Sequence, residues 1–155
     1  MDNYQQHFLY PSTLYASNTP TLVTTILGSC VAVCLFDPVL KVGGINHFML
    51  PLWNGHGLPS PKYGNIATEK LAEKLYLLGS KKSNLIAKVF GGGEIIDNST
   101  KQFNIGERNI IIAFEMLEVL KIPVVAKSVS GKLGRKILFD TSTGEVRHRF
   151  IDKTL

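Results

Sequence analysis

The chain has 155 residues, of which 45% are hydrophobic and 19% are charged, and its formal net charge is +5. This length suits one compact domain, and the hydrophobic fraction excludes an intrinsically disordered chain. No apolar run approaches the roughly 18 residues that a membrane-spanning helix needs, so we expect no membrane insertion. The first residues lack a basic stretch followed by an apolar segment, and we therefore expect a cytoplasmic protein.

The N-terminal half is predicted to form strands. Residues 1–20 are polar and aromatic, which predicts a poorly defined lead-in, and residues 21–155 are expected to form the single domain. Runs rich in β-branched and apolar residues predict three strands, separated by Gly28-Ser29 and by Asp37-Pro38: Thr21–Leu27, Val31–Phe36 and Gly43–Leu50. A long loop over 51–64 follows them, and ordered loops of that length are often functional.

The rest of the chain alternates between two helices and further strands. Apolar residues at helical spacing predict helices over Asn65–Leu78 and Gly106–Leu120, and the glycine run at 91–93 predicts a tight turn. Four further strands are predicted, at Leu85–Phe90, Val124–Val129, Lys136–Phe139 and Val146–Ile151. This order predicts an α+β domain of mixed or antiparallel sheets with two main helices.

Two cysteines lie close together after the first predicted strand. Cys30 follows the Gly28-Ser29 break, and Cys34 lies inside the apolar run VAVCLF. We expect free thiols, because residues four apart on one strand are separated by about 13 Å, too far for a disulfide. Cys34 is predicted to belong to the core. The C-x3-C spacing, without a second Cys/His cluster, predicts no metal site.

The strands on either side of the 37–41 turn form the simplest hairpin. A four-residue loop over 37–40 pairs residues whose numbers sum to 77 and places Cys30 opposite His47, whereas a five-residue loop places Phe48 there. Directly opposite Cβ atoms lie about 4.5–5.5 Å apart, within reach of a thiol–imidazole hydrogen bond. Cys30 is therefore a candidate nucleophile and His47 its candidate base, with Ser29 as a rival nucleophile.

A catalytic thiol needs further support from its surroundings. A free thiol has a pKa near 8.5, so we expect His47 to take its proton and the ion pair to stabilise the thiolate. Backbone amides around Gly28 and Ser29 are predicted to support a developing oxyanion. Thr24 would share a sheet face with Cys30 if the strand ran on, so it is the candidate for the polar group that orients the base.

At these residues the chain resembles the chemoreceptor glutamine deamidase CheD family of bacterial and archaeal chemotaxis. LGSCVAVCLFDP and GGINHFMLP are close to the family pattern around its nucleophilic cysteine and its histidine. The segments PKYG, KVFGGGE, NIGERN and GKLGRKILFDTSTGEV follow in the family order, so the resemblance covers about residues 21–149. Residues 1–20 match poorly, and Gly93 stands where an alanine is common.

The resemblance implies a function and a set of site residues. The family hydrolyses the side-chain amides of particular glutamines on methyl-accepting chemoreceptors to glutamate and ammonia. Its cysteine falls on Cys30, its histidine on His47 and its threonine on Thr24. It also implies a fold like that of the cytotoxic necrotizing factor-type deamidases, no metal or organic cofactor, and a CheC-type CheY-phosphate phosphatase as a partner.

Other functions fit parts of the sequence. A transglutaminase-like or other cysteine hydrolase would use the same pair on another acyl substrate, and a non-catalytic module would only dock on receptors or on a CheC-type phosphatase. No strand interleaves aromatic and basic residues, so we expect no nucleic-acid binding. Basic residues of the C-terminal hairpins predict either a solvated face or a dock for an acidic partner: Lys127, Lys132, Arg135, Lys136, Arg147 and Arg149.

Overall fold

The computed structural model describes residues 4–94 and 104–151. Within these ranges the two helices are α1 (Gly64–Leu77) and α2 (Ile105–Val119), and a short 3-10 turn spans Lys82–Asn84. The strands are β1 (Gln5–Phe8), β2 (Leu14–Ser17), β3 (Thr21–Leu27), β4 (Val31–Asp37), β5 (Val42–Asn46), β6 (Ile86–Gly91), β7 (Val124–Val129), β8 (Gly134–Asp140) and β9 (Val146–Ile151). No helix of the described part is long and apolar enough to cross a membrane.

The strands form two mixed sheets. The four-stranded sheet has the order β1-β3-β8-β9, and the five-stranded sheet has the order β2-β5-β4-β6-β7. The β1–β3 and β6–β7 pairs are parallel, and the other pairs are antiparallel. The predicted α+β domain with mixed sheets and two main helices is confirmed.

The domain has three layers, with the five-stranded sheet in the middle. The helices α1 and α2 pack on one face of this sheet and form a core with residues such as Val33, Leu71 and Leu117. The four-stranded sheet covers the other face, and the inter-sheet core includes Leu27, Cys34 and Phe139. All seven residues of β4 are buried because both faces of this strand are covered, which explains its almost unbroken apolar sequence.

The N-terminal segment is an integral part of both sheets. β1 pairs with β3 in the four-stranded sheet, and β2 pairs with β5 in the five-stranded sheet. Between them, Leu9 is completely buried in the inter-sheet core. The expected poorly defined lead-in is therefore wrong for residues 4–20, while residues 1–3 lie outside the described ranges. Because the chain passes from one sheet to the other between β1 and β2, this segment helps to join the two sheets.

Candidate active site

Residues 28–30 connect the two sheets, and we call them the nucleophile turn after the candidate nucleophile Cys30. β3 ends at Leu27 in the four-stranded sheet, and β4 begins at Val31 in the five-stranded sheet. Cys30 is partly buried and packs against the inter-sheet core. The predicted break at Gly28-Ser29 is thus a change of sheet, and it presents the thiol at the end of the inter-sheet layer.

His47 lies directly after β5, and its side chain is only 2% exposed. Its backbone N–H donates to the Thr13 carbonyl at 3.2 Å, and its carbonyl accepts from the Ser12 N–H at 2.8 Å. The N-terminal segment therefore extends the β2–β5 pairing past the end of β5 and fixes the backbone of the candidate base.

The β4–β5 register differs by two residues from the predicted one. Val31 lies opposite Phe48, so the numbers of paired residues sum to 79 along this hairpin. The predicted direct pairing of Cys30 with His47 is wrong. A shift of two residues nevertheless keeps each side chain on its face, so Cys30 and His47 are diagonal neighbours on the same face. Diagonal neighbours lie about 7–8 Å apart, and the Cβ atoms somewhat less.

Asp37 explains the register. Its Oδ1 accepts hydrogen bonds from the N–H groups of Val39 at 2.8 Å and Leu40 at 3.0 Å. Asp37 therefore caps the turn while it still pairs with Val42 as the last residue of β4. Lys41 takes a positive φ of 61°. The loop still has four residues, but it spans 38–41 instead of the predicted 37–40.

A hydrogen-bond relay fixes the tautomer of His47. The Thr25 hydroxyl oxygen lies 2.7 Å from His47 Nδ1 and 2.7 Å from the Leu9 carbonyl oxygen. A carbonyl can only accept and a hydroxyl has one hydrogen, so Thr25 donates to Leu9 and accepts from His47 Nδ1–H. Nε2 of the neutral ring then carries the lone pair. This buried atom has no hydrogen-bond partner among the described residues, which leaves it free to act as a base.

Thr24 takes no part in this relay. Thr25 is completely buried against the inter-sheet core, whereas Thr24 lines a cavity on the outer surface of the four-stranded sheet. The predicted contact of Thr24 with His47 is therefore wrong. That prediction assumed that the strand carrying Thr24 continues to Cys30. In the structure β3 ends at Leu27, so the alternation of side chains between the two faces of β3 does not extend through the nucleophile turn.

Burial sets the protonation states of the pair. Burial raises the pKa of the Cys30 thiol, and its own backbone N–H only partly opposes this effect. Burial also lowers the pKa of His47 to about 4, because the apolar surroundings disfavour the charged ring. Both shifts favour a neutral thiol and a neutral imidazole in the resting pair, whereas the sequence predicts an ion pair, and that ion pair stays a prediction.

All three carbonyls of the nucleophile turn are bonded from the side of β6 and α2. The donors to Gly28, Ser29 and Cys30 are, in this order, the Gly93 N–H at 2.9 Å, the Asn109 side-chain amide at 3.0 Å and the Gly92 N–H at 2.9 Å. In a planar trans peptide the C=O and N–H point in opposite directions, so the N–H groups of Ser29 and Cys30 point away from these donors. The predicted oxyanion role of Gly28 and Ser29 stays a prediction. In this geometry the candidate donors are the N–H groups of Ser29 and Cys30, which belong to the Gly28–Ser29 and Ser29–Cys30 peptides.

The glycine run packs against the Cys30 segment, but it does not form the predicted tight turn, because Gly91 is the last residue of β6 and residues 92–94 are not in a turn. Gly91 has a φ of 108°, and a Cβ there would collide with the Cys30 carbonyl oxygen, so the close approach requires glycine. The guanidinium of Arg135 donates to the carbonyls of Gly91 at 2.7 Å, Ser128 at 2.8 Å and Ser130. Arg135 is only 2% exposed and holds the backbone at Gly91, so its predicted place on a basic surface is wrong.

Cys34 lies in the core as predicted. It is 2% exposed, and burial raises the pKa of its thiol. In the part of the chain that the structure describes, no three side chains of His, Cys, Asp or Glu are grouped so that they could hold a metal ion.

Comparisons with known protein families and proteins identify the family of this chain. Residues 49–150, well over half of the chain, match the family model described as CheD chemotactic sensory transduction. The chain belongs to the CheD family. A probable chemoreceptor glutamine deamidase CheD of Trichlorobacter lovleyi is 49% identical over 142 residues, which are 92% of this chain and 88% of that protein. A protein of the same description from Sulfurimonas denitrificans is 41% identical over 152 residues, 97% of each chain.

The family model and the two relatives cover different shares of the chain. The match to the CheD family model begins after His47, whereas these two relatives span more than nine tenths of the chain. Among solved structures, a hypothetical protein YfiH of Bacillus licheniformis is similar, with a TM-score of 0.45, 14% identity, and coverage of 70% of this chain and 49% of that chain.

Two residues that contact the candidate site, Thr25 and Asn109, were not predicted from the sequence. Thr25 lies at an alternate position between Val23 and Leu27, the apolar residues on the buried face of β3. This alternation in the sequence could have identified Thr25 as a buried residue. Asn109 stands in the NIGERN segment that carries part of the resemblance, but only the fold brings it to the nucleophile turn.

Proposed function

We propose that this chain hydrolyses the side-chain amides of specific glutamines on methyl-accepting chemoreceptors to glutamate and ammonia, in the cytoplasm. Cys30 is the nucleophile, His47 is the general base and acid, and Thr25 orients His47. The relatives described as probable chemoreceptor glutamine deamidases support the substrate class. The proposal includes docking on a CheC-type phosphatase, for which the support is the family resemblance.

The reaction has two steps. His47 Nε2 takes the thiol proton while Cys30 Sγ attacks the carboxamide carbon, and the N–H groups of Ser29 and Cys30 face the oxyanion. His47 then returns the proton to the amide nitrogen, the C–N bond breaks, and ammonia leaves a thioester on Cys30. In the second step His47 deprotonates a water molecule, which attacks the thioester and releases glutamate and the thiol.

The observation that carries this mechanism is the relay from Leu9 through Thr25 to His47. It holds the proton on Nδ1, so the lone pair is on Nε2, and it points the ring into the layer into which Cys30 also projects. Burial lowers the pKa of His47 and keeps its ring unprotonated at neutral pH, so the lone pair on Nε2 is available to accept the thiol proton.

Intact-mass analysis of a receptor cytoplasmic fragment tests the function. Each hydrolysed amide adds about 1 Da, because NH2 is replaced by OH. We expect this gain with the wild type and with Ser29→Ala, and none with Cys30→Ala. If Cys30→Ala keeps the activity and Ser29→Ala loses it, the nucleophile is Ser29. If Cys30→Ala instead preserves every effect of the protein on receptor signalling, the chain acts as a non-catalytic docking module.

A further inference from the structure

Asn109 joins the two segments that carry the nucleophile and the base. Its side-chain nitrogen donates to the Ser29 carbonyl at 3.0 Å and to the Met49 carbonyl at 3.0 Å. Ser29 directly precedes Cys30, and Met49 is two residues after His47. One amide group, with two hydrogens, therefore holds both segments at a fixed separation from α2.

The environment of Asn109 allows only this orientation of its amide. The side chain is completely buried. Its Oδ1 has no hydrogen-bond partner within the described residues, so the two donated bonds alone set the direction of the group. A flipped amide would place its oxygen against two carbonyl oxygens, which repel it. An unpaired buried acceptor is costly, and the fold retains this one beside the nucleophile turn.

The bond to Ser29 has a geometric consequence for the next amide. The Ser29 carbonyl and the Cys30 N–H belong to one planar peptide and point in opposite directions. Holding the carbonyl therefore aims the Cys30 N–H, and this N–H also lies close enough to its own sulfur to lower the thiol pKa. The same N–H is thus directed to the side on which the tetrahedral intermediate forms at Sγ.

We infer that Asn109 is a positioning residue for acyl transfer by Cys30. It fixes the Ser29–Cys30 peptide so that the Cys30 N–H stabilises the oxyanion, and through Met49 it keeps the His47 segment beside the nucleophile turn. This inference rests on the proposed function for its natural substrate. The donors to the other two carbonyls of the turn are backbone groups, so Asn109 is the donor that a substitution can remove.

The test compares two reactions of the same thiol. Acylation of Cys30 by p-nitrophenyl acetate passes through a tetrahedral oxyanion, whereas alkylation by iodoacetamide is a displacement at carbon that forms none. For Asn109→Ala we expect acylation to slow by about 100-fold, the effect of losing one oxyanion donor. Alkylation should slow by a clearly smaller factor, because it depends on the contact of Cys30 with His47 but not on an oxyanion donor. Deamidation of the receptor fragment should lose kcat with little change in KM.

Ile112→Ala is the matched control. Ile112 is buried on the same helix, about one turn from Asn109, and packs in the core between the helices and the five-stranded sheet. It should lower the melting temperature without changing the ratio of acylation to alkylation. If Asn109→Ala fails to fold, Asn109→Ser serves, because its hydroxyl retains one donor and should give an intermediate loss.

Two outcomes would overturn the inference. Either acylation and alkylation slow by the same factor in Asn109→Ala, or Ile112→Ala lowers the ratio as much as Asn109→Ala does. The fate of the proposed function is separate, because the ester needs no receptor. If wild-type protein is acylated through an Asn109-dependent step but leaves receptor glutamines intact, the inference stands and the substrate assignment fails.

Discussion

Replacing Thr25 by valine removes one hydroxyl from the relay and almost no volume. Two buried groups then lose their partner, the Leu9 carbonyl and the Nδ1–H of His47. An unpaired buried polar group costs about 1–3 kcal/mol, so the loss of both partners should lower the free energy of unfolding by about 2–6 kcal/mol. The tautomer with the lone pair on Nε2 loses about 1–3 kcal/mol of preference, which lowers kcat for deamidation by about 10- to 100-fold.

Thr24→Val is the matched control for this prediction. The family resemblance gives Thr24 the catalytic role, whereas the structure places Thr25 against His47, so the two substitutions separate the two assignments. Chemical denaturation gives the folded fraction, and ammonia release per folded molecule gives kcat. We expect Thr24→Val to retain near-normal activity. An inactive Thr24→Val together with a fully active Thr25→Val would refute the reasoning from the relay.

Three further measurements probe the charges of the site and of the surface. The pKa of His47 falls from 6.5 in the unfolded chain to about 4, so its contribution to stability is complete above pH 6.5 and is lost as the pH falls towards 4. Between pH 6.5 and pH 4 the free energy of unfolding should therefore fall by about 3 kcal/mol on account of His47. The variant His47→Gln should not show this fall. Since burial raises the pKa of Cys30, iodoacetamide should alkylate Cys30 more slowly at pH 7 than it alkylates an exposed thiol. The alkylation rate should still rise beyond pH 9. Fast alkylation at pH 7 would contradict a neutral resting pair. Arg147 and Arg149 lie on the exposed outer side of β9. Replacing both by Glu should slow deamidation at low receptor concentration and weaken the salt dependence of the rate, without affecting alkylation of Cys30. If the wild type and the double variant deamidate at equal rates at every salt concentration, the two arginines are ordinary surface residues.

Alternation along strands made the shared face of Cys30 and His47 predictable, but not the register of the hairpin. The hairpin hypothesis placed the two side chains on one face, and the observed shift of two residues preserves that face. The shift itself depends on Asp37, whose side chain caps the turn from within β4. An Asp-Pro pair is typical of a loop, so local propensity alone gave no reason to keep Asp37 in the strand.

The N-terminal strands escaped prediction for a different reason. QQHF and LYAS are four-residue strands with no strong alternation, and they are held by pairing with β3 and β5 rather than by their own propensity. Arg135 shows the same limit, because its charge suggests a surface position whereas three carbonyls hold it inside. Contacts between residues distant in sequence decide both cases.

The relay that sets the tautomer of His47 ends on a main-chain atom. The Leu9 carbonyl belongs to the path of the backbone, so no substitution of the Leu9 side chain can delete it while the chain keeps that path. Only a change that moves the segment between β1 and β2 can do so. In the proposed mechanism, cleavage, insertion or displacement of this segment would therefore impair the reaction at Cys30 without altering any of the proposed catalytic side chains, and activity would depend on whether the first strands are docked.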